Sequence, residues 1–276
     1  MKEQLMEKIM EEVMKKVGAG EVAPRVESVE KVEPVEKCEK EVCKMPYCSL
    51  TEFVGTAIGE TIGFVIANVD TQLLEAMKLE KNYRSIGIVG GRTGAGPQIM
   101  AADEAVKATN TEIISVELPR DTKGGAGHGS LIIFGAEDVS DARRAVEVTL
   151  KELERTFGDV YANDAGHLEF QYTARASFAC NKAFNAPIGK AFGLIVGAPA
   201  AIGVLISDTA VKAANVEVLG YGSPGNGGTS YSNEAILMIC GDSGAVRQSL
   251  IAAKEVGLQA LQALGGEAKS TTTPYI

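Results

Sequence analysis

The chain has 276 residues, 45% hydrophobic and 23% charged, with a formal net charge of -9, which is enough apolar material for one large soluble domain or two moderate ones. The acidic balance and the lack of a basic block argue against a nucleic-acid partner. No apolar run reaches the roughly 18 residues of a membrane span, and the charged N-terminus lacks the apolar stretch of a secretory signal.

Residues 1–17 place Leu5, Ile9 and Val13 in one i, i+4 row and Met6, Met10 and Met14 in the next, with Glu and Lys elsewhere. That periodicity predicts an amphipathic helix. Its apolar stripe of Leu5, Met6, Ile9, Met10 and Val13 suits a partner's groove, because methionine adapts to irregular surfaces; packing on the protein's own body is the alternative. Gly18-Ala19-Gly20 ends the helix. Residues 21–44 alternate Val, Glu and Lys with Pro24 and Pro34. Such a stretch buries too little to offset its ordering entropy and reads as a tether, so residues 1–47 form an extension. Cys38, Cys43 and Cys48 lack both the C-x2-C spacing and a nearby His, so no metal site is expected there. Five cysteines, an odd number, point to a reducing compartment. Met45 leaves open an internal start.

Beyond the extension, the chain is written twice. Asp103 to Ile114 and Asp208 to Leu219 both read D-x-A-V-K-A-x-N-x-E followed by apolar residues, 105 positions apart. The first copy spans 48–158 and the second 159–265, with a loose tail at 266–276. In the first, strands are predicted at Thr61–Ala67, Ser85–Gly90, Glu112–Glu117 and Leu131–Phe134. Helices are predicted after the Asp70 cap, from Pro97 to about Thr109, and from Asp138 or Ser140 through Leu153. The second repeats the order: strand His167–Tyr172, helix Ala174–Phe184, strand Ala191–Gly197, a helix from Pro199 to Ala214, strand Val216–Tyr221, strand Ile236–Cys240, and a final helix capped by Asp242. Each half is an α+β unit, a four-stranded sheet with helices on it.

No catalytic residue, metal site or cofactor is expected. The turn Gly91-Arg92-Thr93-Gly94-Ala95-Gly96 follows a strand and opens a helix, as a dinucleotide fingerprint does, but Ile99 stands where the third glycine belongs. His128 and His167 have no neighbouring pattern of a triad or metal centre, and Cys180 and Cys240 sit in apolar contexts. The two glycine-rich loops after the third strand of each copy carry more weight. Lys123, Gly124, Gly125, Gly127 and His128 in the first, and Ser223, Asn226, Gly227, Thr229 and Ser230 in the second, offer amides and hydroxyls. Matched loops meeting at a symmetry axis would form a polar aperture for small solutes. Lys107 with Asn110, and Lys212 with Asn215, occupy equivalent helix ends and suggest an edge contact used twice per chain.

The stretches Asp208–Tyr221, Gly241–Arg247, Ile99–Lys107 and Leu118–Gly129 resemble the tandem-domain shell proteins of bacterial microcompartments, particularly those of propanediol utilisation. The first strand of each copy precedes the rest, as in the circularly permuted members. The resemblance covers residues 50–265. It implies a homotrimer shaped like a hexagon that tiles edge to edge with other shell proteins in the cytoplasm. It also implies tile-edge contacts at Lys107, Asn110, Lys212 and Asn215, and pores for small polar metabolites such as a diol or glycerol. The extension would tether enclosed enzymes. Whether the pore lies at the trimer axis or within each subunit stays open. Two alternatives remain: a nucleotide-binding enzyme using Gly91–Gly96, and a small-molecule sensor that never tiles.

Overall fold

Strand β1 (Phe53–Ala57) turns through Gly59 and Glu60, both at positive φ, into β2 (Thr61–Ile66). Glycine is required at position 59, since a Cβ there would run into the Phe157 ring. This computed structural model describes residues 48–79, 81, 83–119 and 128–276. The expected N-terminal helix and tether, and Lys123, Gly124, Gly125 and Gly127, lie outside the described residues.

The first repeat continues with α1 (Thr71–Met77), β3 (Ser85–Gly91), α2 (Ala95–Ala108), β4 (Glu112–Glu117), β5 (Ser130–Ala136) and α3 (Val139–Thr156). The second consists of β6 (Val160–Asn163), β7 (Gly166–Thr173), α4 (Phe178–Phe184), β8 (Ala191–Ala198), α5 (Ala200–Ala213), β9 (Val216–Gly222), a 3-10 turn at Pro224–Asn226, β10 (Ala235–Gly241), α6 (Ser243–Gly265) and β11 (Lys269–Ser270). The sheets run β1-β2-β3-β5-β4 and β11-β6-β7-β8-β10-β9. Matched elements take matched places, and the pairings are antiparallel. The four expected strands of each half are present, with β1 added at the edge of the first sheet and β6, flanked by β11, added beside β7 in the second. Those two strands are short and half-buried, so their sequences carry little alternation.

In each half the two long helices cover one face of the sheet. Helix α3 buries Ala142, Ala145, Val146, Thr149, Leu153 and Thr156, an i, i+3/i+4 stripe. On the opposite face of the first sheet, Leu74 of α1 packs with Ile86, Ile114 and Ile133. One apolar cluster crosses the repeats, joining Ile99 and Met100 of α2 to Ala179 and Cys180 of α4 and to Phe192, Leu194 and Val196 of β8.

Two expectations are corrected. Helix α4 starts at Phe178, not Ala174, because its N-terminus is held from the other repeat. The buried Asp103 carboxylate accepts from the amides of Ser177 (2.9 and 3.0 Å) and Cys180 (3.0 Å), which fixes where the helix begins. The tail is not loose. Lys269 and Ser270 pair with β6, and the amides of Tyr275 and Ile276 donate to the buried Asp159 at 2.8 and 2.9 Å. Lys254 and the Tyr161 hydroxyl also bond that carboxylate, and the Arg155 guanidinium lies 5.0 Å from the Tyr275 ring centre. Apart from that of Tyr161, these contacts join residues about a hundred positions apart and follow no periodicity.

Candidate functional site at the junction of the repeats

The N-terminus of α2 points across the junction at β7 and β8. It is anchored by Gln98, fully buried, whose amide donates to the Thr61 hydroxyl (2.7 Å) and to the Thr93 carbonyl (3.0 Å), and accepts from Ser130. The Ala95 amide donates to the His128 carbonyl at 3.1 Å, which draws the end of the first glycine-rich loop onto the helix. Between these elements lies a cavity of about 60 Å3, walled by Leu118, Phe184, Leu194, Val196 and Ile236 and entered by Glu169, Glu234 and His128. Gly96 is needed here, since a Cβ would collide with the Glu169 carboxylate.

Glu169 is 9% exposed and Glu234 1% exposed. Neither oxygen of Glu234 has a hydrogen bond, nor has Oε1 of Glu169. His167 Nε2 comes within 3.4 Å of Glu234 Oε2 and His128 Nε2 within 3.9 Å of Oε1, without hydrogen-bond geometry. Burial, then the neighbouring Glu234 charge, pushes the Glu169 carboxyl up to about 8, while a hydrogen bond from Gln171 pulls the other way. Glu169 also lines a larger cleft on its far side, of about 510 Å3, with Gly94, Asn163, His167 and Thr271. One carboxylate therefore stands between two hollow spaces.

The first copy does not reproduce this chemistry. Gly87 and Gly193 pair with the matched residues Phe134 and Ile239, which aligns β3 with β8. Three residues on, Gly90 pairs with Ile62 and Val196 pairs with Glu169. Ile62, 38% exposed, thus holds the place of Glu169. Glu234 corresponds, 105 positions earlier, to Gly129.

The BMC domain family model matches residues 85–164 and 191–268, both copies. Along 273 residues the chain is 64% identical to the bacterial microcompartment shell protein PduB of Citrobacter freundii, covering 99% of this chain and 98% of that one. This chain belongs to the bacterial microcompartment shell proteins. Its fold is similar to the crystal structure of a trimeric bacterial microcompartment shell protein PduB (TM-score 0.79, 56% identity, 82% of this chain and 100% of that one) and to that of EtuB from Clostridium kluyveri (TM-score 0.79, 56% identity, 83% and 100%). The chain is thus two BMC domains in tandem, a structural component of a microcompartment shell and not an enzyme.

Within this shell protein the expected site residues separate. His128 joins the junction cavity. In the second loop, Asn226 Oδ1 accepts from the amides of Ser223 and Gly228, both at 2.8 Å, so Asn226 shapes the loop from within. Gly227 is left-handed at φ 73°. Thr229 is buried, with its hydroxyl donating to the Ser232 carbonyl at 3.1 Å, so it supports the loop. Ser230 and Tyr231 follow at positive φ, and Tyr231 is 76% exposed. The two repeated lysines differ. Lys107, its side chain 26% exposed, meets Asp103 and Glu104 at 2.9 Å, whereas Lys212 is 74% exposed and pairs with the exposed Asp208 at 2.6 Å. Burial disfavours the Lys107 charge, but Asp103 and Glu104 outweigh it and raise its pKa. Asn110 and Asn215 are exposed. Glu169 and Glu234 escaped sequence reasoning, although a charged residue inside the apolar run His167–Tyr172 was a signal.

Proposed function

We propose that this shell protein closes into a three-chain ring of six modules, tiles with other shell proteins, and admits small polar metabolites of the diol or glycerol class. One observation carries the ring. In α2, Ile99 and Met100 are 0% and 2% exposed because α4 of the second repeat covers them; their counterparts in α5, Val204 and Leu205, are 51% and 46% exposed. Val211, Val218 and Tyr221 extend that uncovered face. Helix α1, the counterpart of α4, exposes Leu73 at 47%. Setting α1 of one chain on α5 of the next repeats the internal junction, and three such contacts close a ring of six. The trimeric state of the PduB crystal structure supports this reading.

The junction cavity within each chain supports the route for solutes, because its buried polar groups face apolar walls of small-molecule dimensions. The glycine-rich loops, with Ser223 and Ser230 among them, are assigned to the ring axis, and Lys212 with Asn215 to the tile edge. The stripe of Leu5, Met6, Ile9, Met10 and Val13 is assigned to tethering enclosed enzymes. The deciding experiment is electron microscopy of the full chain together with its solution mass. Three-chain hexagonal rings forming flat arrays are expected, and a stable monomer would overturn the assignment. Removing residues 1–47 is expected to leave arrays intact while releasing cargo; retained cargo would refute the tether.

A further inference from the structure

Tyr231 is held against its backbone preference. Ser230 and Tyr231 sit at φ 50° and 64°, a left-handed pair without a glycine. That conformation is costly for any side chain and persists only where the surroundings impose it. Here they do. The Ser230 amide donates to the Gly227 carbonyl at 3.0 Å and the Ser232 amide to the Thr229 carbonyl at 2.9 Å. Asn233 Oδ1 accepts from the Ala200 amide at 3.3 Å, which ties the end of the loop to the start of α5. This braced turn presents Tyr231 to water at 76% exposure, the highest value among the large apolar side chains described. The ring belongs to none of the apolar clusters of the described residues, so the fold of the single chain gains little from it.

We propose that Tyr231 closes the axis of the three-chain ring: three tyrosines, one from each chain, pack on one another there and bar the axis to solutes. The proposal rests on the ring reading and adds the residue at which the chains converge. Two observations place Tyr231 at the axis. His128, near the end of the first glycine-rich loop, lies 3.9 Å from Glu234, which ends the second, so the two loops of a chain stand side by side. Repeated around a closed ring, that adjacency gathers all the loops into one collar. The second loop also continues the uncovered face of α5 and β9, because the Asn226 side-chain amide donates at 3.2 Å to the carbonyl of Tyr221, which is 41% exposed at the end of that face. In the first loop Ala126, 105 positions earlier, holds the place of Tyr231, so the tyrosine occurs once per chain and forms a threefold set. Tyrosine suits the position, since its ring can pack while its hydroxyl stays in water. Packing also removes from water the apolar area that the single chain leaves exposed.

The test is photo-oxidative tyrosine coupling of the full chain with a ruthenium trisbipyridyl sensitiser and persulfate, alongside the solution mass by light scattering. Chains linked through dityrosine are expected. Tyr231→Phe, which packs alike but cannot couple, should lose the linked product and keep the three-chain mass, whereas Tyr221→Phe should keep both. In electron-microscope maps of isolated rings, the axis should be filled in wild type and Tyr231→Phe and open in Tyr231→Ala. Coupling that persists in Tyr231→Phe, or an axis equally filled in Tyr231→Ala, would overturn the proposal while the three-chain mass upholds the ring. A single-chain mass would overturn the ring and the place of Tyr231 in it together, so the two failures are told apart by the mass.

Discussion

Replacing Glu169 by Gln removes one ionisable group and keeps its shape, so its effect should appear mainly in the pH dependence of stability. The folded chain holds the Glu169 proton up to about pH 8, against an ordinary 4.5 for the unfolded chain. Below about 4.5 both states are protonated and the group is neutral to stability. Between about 4.5 and 8 the unfolded chain has lost a proton that the folded chain retains, so stability falls as pH rises, and above 8 the loss is complete. The full difference corresponds to about 5 kcal/mol, of which water entering the cavity and local relaxation should leave a few. Glu169→Gln should therefore match wild type near pH 4.5 and exceed it by about 2–4 kcal/mol at pH 9. Equilibrium urea unfolding at fixed protein concentration, repeated from pH 4.5 to 9, measures the two profiles. Parallel profiles would refute the assignment of a buried proton to Glu169.

Leu205→Asp on the uncovered face of α5 should change the stability of the single chain by less than about 0.5 kcal/mol yet abolish the trimer, read by light scattering after size exclusion. Asp103→Ala should destabilise by about 3–5 kcal/mol, because it strands the Ser177 and Cys180 amides and leaves Lys107 without its buried partner; denaturant unfolding measures it. Asp159→Ala should release the tail, seen as faster hydrogen exchange over 269–276 with the β8 amides still protected. Lys212→Ala should leave the trimer intact and weaken array formation under the electron microscope; arrays like wild type would remove Lys212 from the tile edge.

The amino-acid order determined by itself the duplication, the permuted order of elements and most of their bounds. These are local matters: period-2 and period-3.6 apolar patterns, Asp70 and Asp242 before helices, and glycine at turns all act through near neighbours along the chain. The repeated motif also marked α2 and α5 as equivalents, but it could not separate their fates. Asp103 and Asp208 stand in the same phrase, yet one is buried as a cap on α4 and the other lies exposed. Only the tertiary structure decided that, because α4 reaches α2 within the chain while α5 has no such neighbour among the described residues. The same holds for the tail, whose bonds to Asp159 span about a hundred residues, and for the junction cavity. Glu169, Glu234, His128 and His167 are scattered over 107 positions and acquire their chemistry through shared burial, a property of packing that no spacing in the sequence expresses.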